Sequence, residues 1–202
     1  MIECYLCGRK LLKRDTTKDH IPPDCIFPDA KPPNLITVKC CVHCHRQFSV
    51  LDERMRNYIA VIAITQSGEV GEKARNRIMR SPEFIYDFLE HTREHPGLTS
   101  AEGDPRLLFF FTEDEMNKWL IRMVKGLHFH RFRSRMPEGM TFVVKARPEL
   151  EPPEVLAMLD DVESRLGPHF AYGLVEQNGI RLWILSFYDH VLFTVAISGS
   201  NT

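Results

Sequence analysis

The distribution of cysteines constrains this chain more than any other feature. Six cysteines lie within the first 44 residues of a 202-residue chain, and the remaining 158 residues contain none. Four of them form two C-x-x-C pairs, Cys4 with Cys7 and Cys41 with Cys44. In a reducing compartment such pairs indicate metal binding before disulfides. Because each short spacer lets a tight turn direct two thiolates at one ion, the pairs predict a closed tetrahedral zinc site.

The other two cysteines leave the choice of ligands open at one position. Cys40 is adjacent to Cys41, and only Cys41 leaves a two-residue spacer before Cys44. We therefore assign the two C-x-x-C pairs to a structural Zn²⁺ ion and interpret Cys25 and Cys40 as core thiols, with ligand exchange as the alternative. A segment this short and polar buries little apolar surface, so the metal is expected to stabilise it.

A set of polar residues lies between and directly after the two cysteine pairs. In chain order the set is Asp19-His20 before Ile21 and two prolines, Asn34 before Leu35, and His45 directly after Cys44. In this order and within a zinc-binding segment, these residues resemble the HNH endonuclease family, also called the ββα-metal nucleases. The resemblance covers about residues 3 to 57, a quarter of the chain, and does not extend further.

The resemblance implies a site that hydrolyses phosphodiester bonds. By that resemblance His20 is the general base that activates water, a task that suits an imidazole with a pKa near neutrality. Asp19 and His45 are implied to bind a catalytic divalent ion, Mg²⁺ or Mn²⁺, while Asn34 is implied to orient His20. Each residue taken alone has an ordinary explanation as a solvated turn, a loop residue or a surface histidine. Their coincidence within one zinc-binding segment favours catalysis.

Binding to nucleic acid requires basic residues that contact phosphate. The net charge is −1, so such binding depends on a local patch. Residues 118–135 contain six Lys or Arg, two His and no acidic residue, interleaved with Phe129 and Phe132. We interpret this segment as a surface for DNA or RNA, the alternative being a solvated face beside core phenylalanines. The residues predicted to contact nucleic acid are Arg46, Lys118, Arg122, Lys125, Arg131 and Arg133.

Hydropathy patterning predicts an α+β protein with a helical middle and a small C-terminal α+β domain with an antiparallel sheet, and the resemblance implies an N-terminal ββα-metal zinc module. The predicted divisions are residues 1–60 for the nuclease module, 61–105 for a helical connector and 106–202 for an accessory domain. Helices are expected over about 48–68, 72–79, 81–89, 112–126 and 152–167. Strands are expected over 35–38, 107–111, 140–146, 170–175, 180–187 and 191–197, with a polar loop up to Pro105. Turns at 177–179 and 188–190 are expected to join the last three strands.

The sequence therefore favours a metal-dependent HNH-type endonuclease, with DNA favoured over RNA. One alternative is a non-catalytic zinc-knuckle module that binds nucleic acid or protein, and another makes the C-terminal domain the functional part. The chain has no membrane-spanning stretch and no signal peptide, so a cytoplasmic location without a membrane partner is expected. A homodimer and an activator of the C-terminal domain are partners that the sequence leaves open.

Overall fold

Helices and antiparallel sheets occur together in this chain, which confirms the predicted α+β class. A computed structural model describes residues 2–67, 76, 78–82, 84–86, 92–99, 105–109, 113–146, 164–189 and 191–199. Within these ranges the chain forms eleven strands, here β1 to β11, and two long helices, α1 and α2. No helix in the described part is both long and apolar enough to cross a membrane.

The N-terminal part contains two antiparallel strand pairs followed by a helix, and the second pair with this helix has the ββα order that the resemblance implies. Strands β1 (Ile2–Glu3) and β2 (Lys10–Leu11) form a short antiparallel pair, and β3 (Thr16–Ile21) and β4 (Ile36–Cys41) form a longer one. Helix α1 (Val42–Ser67) follows β4 without a connecting loop. The second cysteine pair therefore lies across the junction between a strand and a helix.

Helix α1 begins earlier than the hydropathy pattern predicts. The apolar period becomes regular only near Phe48, whereas the helix starts at Val42. Its first turn contains Cys44 and His45. This turn has no regularly spaced apolar residues, so the hydropathy pattern could not predict it as helix. The backbone N–H of Cys44 donates to the sulfur of Cys41 over 3.4 Å, so a thiol takes the role of the usual capping oxygen.

The middle of the chain differs from the helical connector predicted over 61–105. Strand β5 (Thr92–Thr99) lies where the sequence predicted the end of a helix and a polar loop. It pairs with β6 (Pro105–Phe109), which overlaps the strand predicted over 107–111. The proline and glycine at positions 96 and 97 are accommodated because the register of the pair shifts between Glu94 and Thr99. The helices predicted over 72–79 and 81–89 lie partly outside the described residues, and residues 78–79 and 84–86 are helical.

Five antiparallel strands form the C-terminal sheet, in the order β7-β11-β10-β9-β8. Their bounds are β7 (Thr141–Ala146), β8 (Ser164–Leu166), β9 (Phe170–Gln177), β10 (Ile180–Phe187) and β11 (Val191–Ser198). The predicted hairpins β9–β10 and β10–β11 are confirmed, and two residues with positive φ form each turn: Asn178 with Gly179, and Tyr188 with Asp189. The helix predicted over 152–167 lies mostly outside the described residues, and its last part is β8.

Helix α2 (Glu113–Phe132) packs between the N-terminal part and this sheet. The ring of Trp119 lies 5.6 Å from that of Phe187 in β10, measured between centroids. The hydroxyl of Tyr188 donates to the backbone carbonyl of Ile26 over 2.6 Å. One buried cluster therefore includes residues from both ends of the chain.

Helix α2 also continues past Gly126, where the sequence predicted its end. A Cβ atom at this position would lie 2.6 Å from the side chain of Ile21, which is completely buried in β3. The missing side chain thus allows helix and strand to approach closely. Gly126 therefore serves the packing of the two elements and does not end the helix.

Substitution Gly126→Ala is expected to destabilise the protein. The overlap with Ile21 costs about 1–3 kcal/mol, whereas alanine gains only about 1 kcal/mol of helix propensity. Urea denaturation measures the free energy of unfolding. The matched control is Gly199→Ala, whose Cβ would meet no atom within 4 Å. An unchanged or greater stability of Gly126→Ala would contradict the close approach.

Candidate functional site

The two C-x-x-C pairs come together as one cluster of thiols. The sulfur atoms of Cys4, Cys7, Cys41 and Cys44 all lie within 4.8 Å of one another, with 3.9 Å between those of Cys7 and Cys41. Four sulfurs around one zinc ion, each at about 2.3 Å from it, have similar separations. The distances exceed the roughly 2.05 Å of a disulfide bond, and all six cysteines are free. The four residues could therefore hold a metal ion such as zinc.

Local backbone geometry helps to position these thiols. The backbone N–H of Gly8 donates to the carbonyl of Cys4 over 2.9 Å, and Gly8 has a φ of 73°, which a glycine adopts without strain. The N–H of Cys41 donates to the sulfur of Cys4 over 3.4 Å. Burial raises the pKa of Cys41, but hydrogen bonds from the N–H of Cys44 and from neighbouring thiols lower it to about 7. A thiolate, the form that binds metal, is thus accessible near neutral pH.

The other two cysteines lie outside this cluster. Cys40 is completely buried, and Cys25 donates a weak hydrogen bond to the backbone carbonyl of Asp52 over 3.5 Å. Burial raises the pKa of Cys25 to about 12, so its thiol remains protonated at neutral pH. This placement agrees with their interpretation as core thiols.

Substitution Cys4→Ser is expected to abolish metal binding and to lower stability. It removes one of four soft ligands, whereas Cys25→Ser leaves all four in place and serves as the control. Elemental analysis of the purified full chain should find one metal ion per chain in the wild type and in Cys25→Ser, and close to none in Cys4→Ser. Equal loss in both variants would contradict the assignment of ligands.

The dipeptide Asp19-His20 is split between the two faces of the β3–β4 hairpin. Because side chains alternate along a strand, neighbouring residues point in opposite directions. Asp19 is only 2% exposed and shares the inner face with Ile21, whereas His20 is half-buried on the outer face. Opposite His20 in the register is Thr37, and Lys18 lies opposite Lys39.

His20 has an acidic neighbour that the sequence analysis missed. Its Nδ1 lies 3.8 Å from a carboxylate oxygen of Asp24, which also forms an ion pair with Lys31. Burial lowers the pKa of His20 below its usual value, Asp24 raises it and Lys31 lowers it, with a net decrease. His20 is therefore mainly neutral at pH 7. The signal in the sequence was an acidic residue four positions after the histidine, across two prolines.

Asp19 is enclosed by hydrogen-bond donors and does not fit the predicted role as ligand of a catalytic ion. The hydroxyl of Tyr5 donates to it over 2.6 Å, and the guanidinium of Arg122 donates to both of its oxygens. Arg122 is itself only 2% exposed. The carboxylate already faces a buried cation, so the assignment of Mg²⁺ or Mn²⁺ to this residue is corrected.

The same guanidinium contacts a second carboxylate on helix α1. Arg122 donates to Asp52, which also accepts a hydrogen bond from the indole N–H of Trp119 over 2.8 Å. The centre of the guanidinium lies 4.8 Å from the ring centroid of Phe48. One arginine of α2 thus connects strand β3 to helix α1. Its prediction as a nucleic-acid contact is wrong, because it is buried within the molecule.

The remaining two positions of the predicted motif are Asn34 and His45. The side chain of Asn34 is exposed and donates to the backbone carbonyl of Arg165 in β8 over 3.4 Å, so its described contact is with the sheet. His45 is half-buried in the first turn of α1. Among the described residues, no group of three or more metal-ligating side chains includes His45 or Asp19.

The predicted basic segment divides into different environments. Lys118 is exposed and pairs with Asp114 over 3.2 Å, while Lys125 is half-buried. Arg46, Arg131 and Arg133 are exposed. The six residues therefore do not form one continuous face.

Comparison of the chain with protein-family models, with curated proteins and with solved structures finds no match. The class of this protein consequently rests on its own residues and on the geometry described above.

Substitution Arg122→Met is expected to lower the free energy of unfolding by about 3–5 kcal/mol, because it leaves two carboxylates without a buried cation. Lys118→Met in the same helix is the control and should change it little, since that pair is exposed. Combining Arg122→Met with Asp19→Asn and Asp52→Asn should recover part of the loss, as measured by urea denaturation. If the single and triple variants were equally unstable, uncompensated charge would not be the cause.

Proposed function

We propose that this protein is an endonuclease of HNH type that hydrolyses phosphodiester bonds in nucleic acid, with His20 as the general base. The observation that carries the proposal is the outer face of the β3–β4 hairpin. There a neutral histidine with an acidic neighbour lies beside two lysines, next to a cluster of four thiols that joins the hairpin to helix α1.

The charges of this face suit a phosphodiester. Lys18 lies on the same face of β3 as His20, and Lys39 lies directly opposite Lys18 in β4. Neither lysine forms an ion pair within the described residues. Two uncompensated ammonium groups attract a phosphate and neutralise the charge that builds up on it during hydrolysis.

The proposed chemistry requires one proton transfer to His20. Its Nδ1 faces Asp24, which leaves Nε2 available to accept a proton from water. The oxygen of that water forms a bond to phosphorus while the bond from phosphorus to the leaving oxygen breaks. Solvent then protonates the leaving oxygen. No step passes through a catalytic ion, because Asp19 is already engaged by Arg122.

We further propose that the four-thiol cluster binds Zn²⁺ as a structural ion. Four cysteines complete a tetrahedral zinc site with no open position, so the ion would stabilise the junction of β4 and α1 without taking part in catalysis. Thiols that bind a metal remain reduced in the cytoplasm, so the proposed zinc site agrees with the cytoplasmic location expected from the sequence.

The test is cleavage of supercoiled plasmid, single-stranded DNA and RNA by the full chain. Because no proposed step uses a catalytic ion, cutting should not require added Mg²⁺ or Mn²⁺. His20→Ala should abolish cutting while retaining bound metal and cooperative unfolding. Since the pKa of His20 is lowered, the rate should remain high as pH falls to 6.5 and should decrease only below that value. Asp24→Asn removes a charge that raises this pKa, so the decrease should move to still lower pH.

The pH profile separates the role of His20 from general damage to the fold. A structural defect in Asp24→Asn would lower the rate at every pH without moving the acidic limb. Cutting that persists in His20→Ala would contradict the assignment of the base.

One observation favours a second candidate, a non-catalytic module that binds nucleic acid or protein. The enclosure of Asp19 by Tyr5 and Arg122 leaves no ion site of the kind that the family resemblance implies. Binding of nucleic acid by a well-folded wild type that cuts none of the three substrates would select this candidate.

A further inference from the structure

A groove lies beside the four-thiol cluster, on the side formed by the end of helix α2 and the loop before β7. Its lining includes Tyr5, Met136, Met140, Lys125 and Phe142. Tyr5 is the residue whose hydroxyl donates to Asp19. Tyr5 thus connects the groove to the inner face of β3, whereas His20 lies on the outer face.

Lys125 is the cation of this groove that lacks an acidic partner. Its side chain is half-buried, and within the described residues no carboxylate lies at ion-pair distance from it. Burial lowers the pKa of Lys125, and the nearby guanidinium of Arg135 lowers it further. Arg135 differs, because it pairs with Glu138 over 2.8 Å and with Glu3 over 3.8 Å. A half-buried ammonium group of this kind gains most from a ligand that brings negative charge.

The groove also offers an aromatic ring at the same place. The Nζ of Lys125 lies 5.6 Å from the ring centroid of Phe142, which is half-buried in β7. Beside it, the half-buried Met140 adds apolar surface, whereas Met136 and Tyr5 are almost completely buried. A cation next to a partly exposed ring suits a nucleotide, which carries a phosphate and a flat base. A base in a duplex has both faces stacked, so an unpaired base fits this ring better.

We propose that this groove binds one nucleotide of a single-stranded nucleic acid, with its phosphate at Lys125 and its base against Phe142. The inference rests on the proposed function in taking nucleic acid as the substrate, and it adds where an unpaired part of that substrate binds. The exposed Glu138 at the rim is screened by solvent and already paired with Arg135, so it weakens this attraction only slightly.

The chain contains a matched control for Lys125 in the same helix. Lys118 lies two turns earlier, is exposed and already pairs with Asp114. Substitution of either lysine by methionine removes one positive charge from α2, but only Lys125→Met changes the groove. Lys125→Arg retains the charge there and should rescue binding.

The experiment measures the binding of a fluorescent oligothymidylate to the full chain by anisotropy, at several salt concentrations. His20→Ala is present in every protein, so that no cleavage occurs. Lys125→Met is expected to weaken binding by about tenfold and to reduce the slope of log affinity against log salt by about one. Lys118→Met and Lys125→Arg should retain the slope. Thermal unfolding confirms that each variant is folded.

A second arm tests the aromatic contact. Phe142→Leu should weaken binding of oligothymidylate by about fivefold or more, because a stacking contact is lost. An abasic strand has no base to stack, so the same variant should bind it as tightly as the protein with Phe142 does. Equal weakening for both strands would overturn the assignment of the base to Phe142.

The outcomes for the groove and for the proposed function are distinguishable. Lys125-dependent binding by a protein that cuts no substrate supports the groove and contradicts the nuclease. If cutting depends on His20 but Lys125→Met leaves both the affinity and its salt dependence unchanged, the nuclease proposal is supported. The proposal that the groove binds a nucleotide is then overturned. Equal effects of Lys118→Met and Lys125→Met also overturn the groove.

Discussion

The guanidinium of Arg122 is the interaction on which the arrangement of the N-terminal part depends. It is almost completely buried between Asp19 of β3 and Asp52 of α1, and the hydroxyl of Tyr5 and the indole of Trp119 complete the hydrogen bonds of the two carboxylates. Buried charges are costly unless they are paired and hydrogen-bonded. Moving the hairpin or α1 away from α2 would leave a buried charge without its partner, at a large cost in free energy.

This network and the thiol cluster join distant parts of the chain in different ways. The cluster brings the turn after β1 next to the junction of β4 and α1, which are far apart in the chain. The arginine connects the hairpin and α1 to a helix of the C-terminal half. The N-terminal part also contributes apolar side chains such as Tyr5, Ile21 and Ile36 to the buried cluster, so it shares one core with the rest of the chain.

Asp19 and His20 are adjacent in the sequence but lie on opposite faces of the β3–β4 hairpin. Asp19 points inward and serves the fold through Arg122, whereas His20 points outward beside Lys18 and Asp24 and is available for chemistry. In the family that the motif resembles, both residues are implied to belong to one catalytic centre. In this chain a fixed guanidinium faces the carboxylate, which separates the proposed base from the implied ion site. The proposed function consequently depends on the outer face of the hairpin alone.

The sequence by itself determined the features that have local causes. The spacing of the cysteines predicted which four thiols lie together, alternation and turn residues predicted the hairpins β9–β10 and β10–β11, and the mixture of patterns predicted the α+β class. Only the tertiary structure decided the surroundings of Asp19, Arg122 and Gly126. Sequence spacing shows an arginine among basic residues and a glycine at a helix end. It cannot show that this arginine meets two acids from distant elements, or that the glycine admits Ile21, because burial and ion pairing depend on which elements pack together.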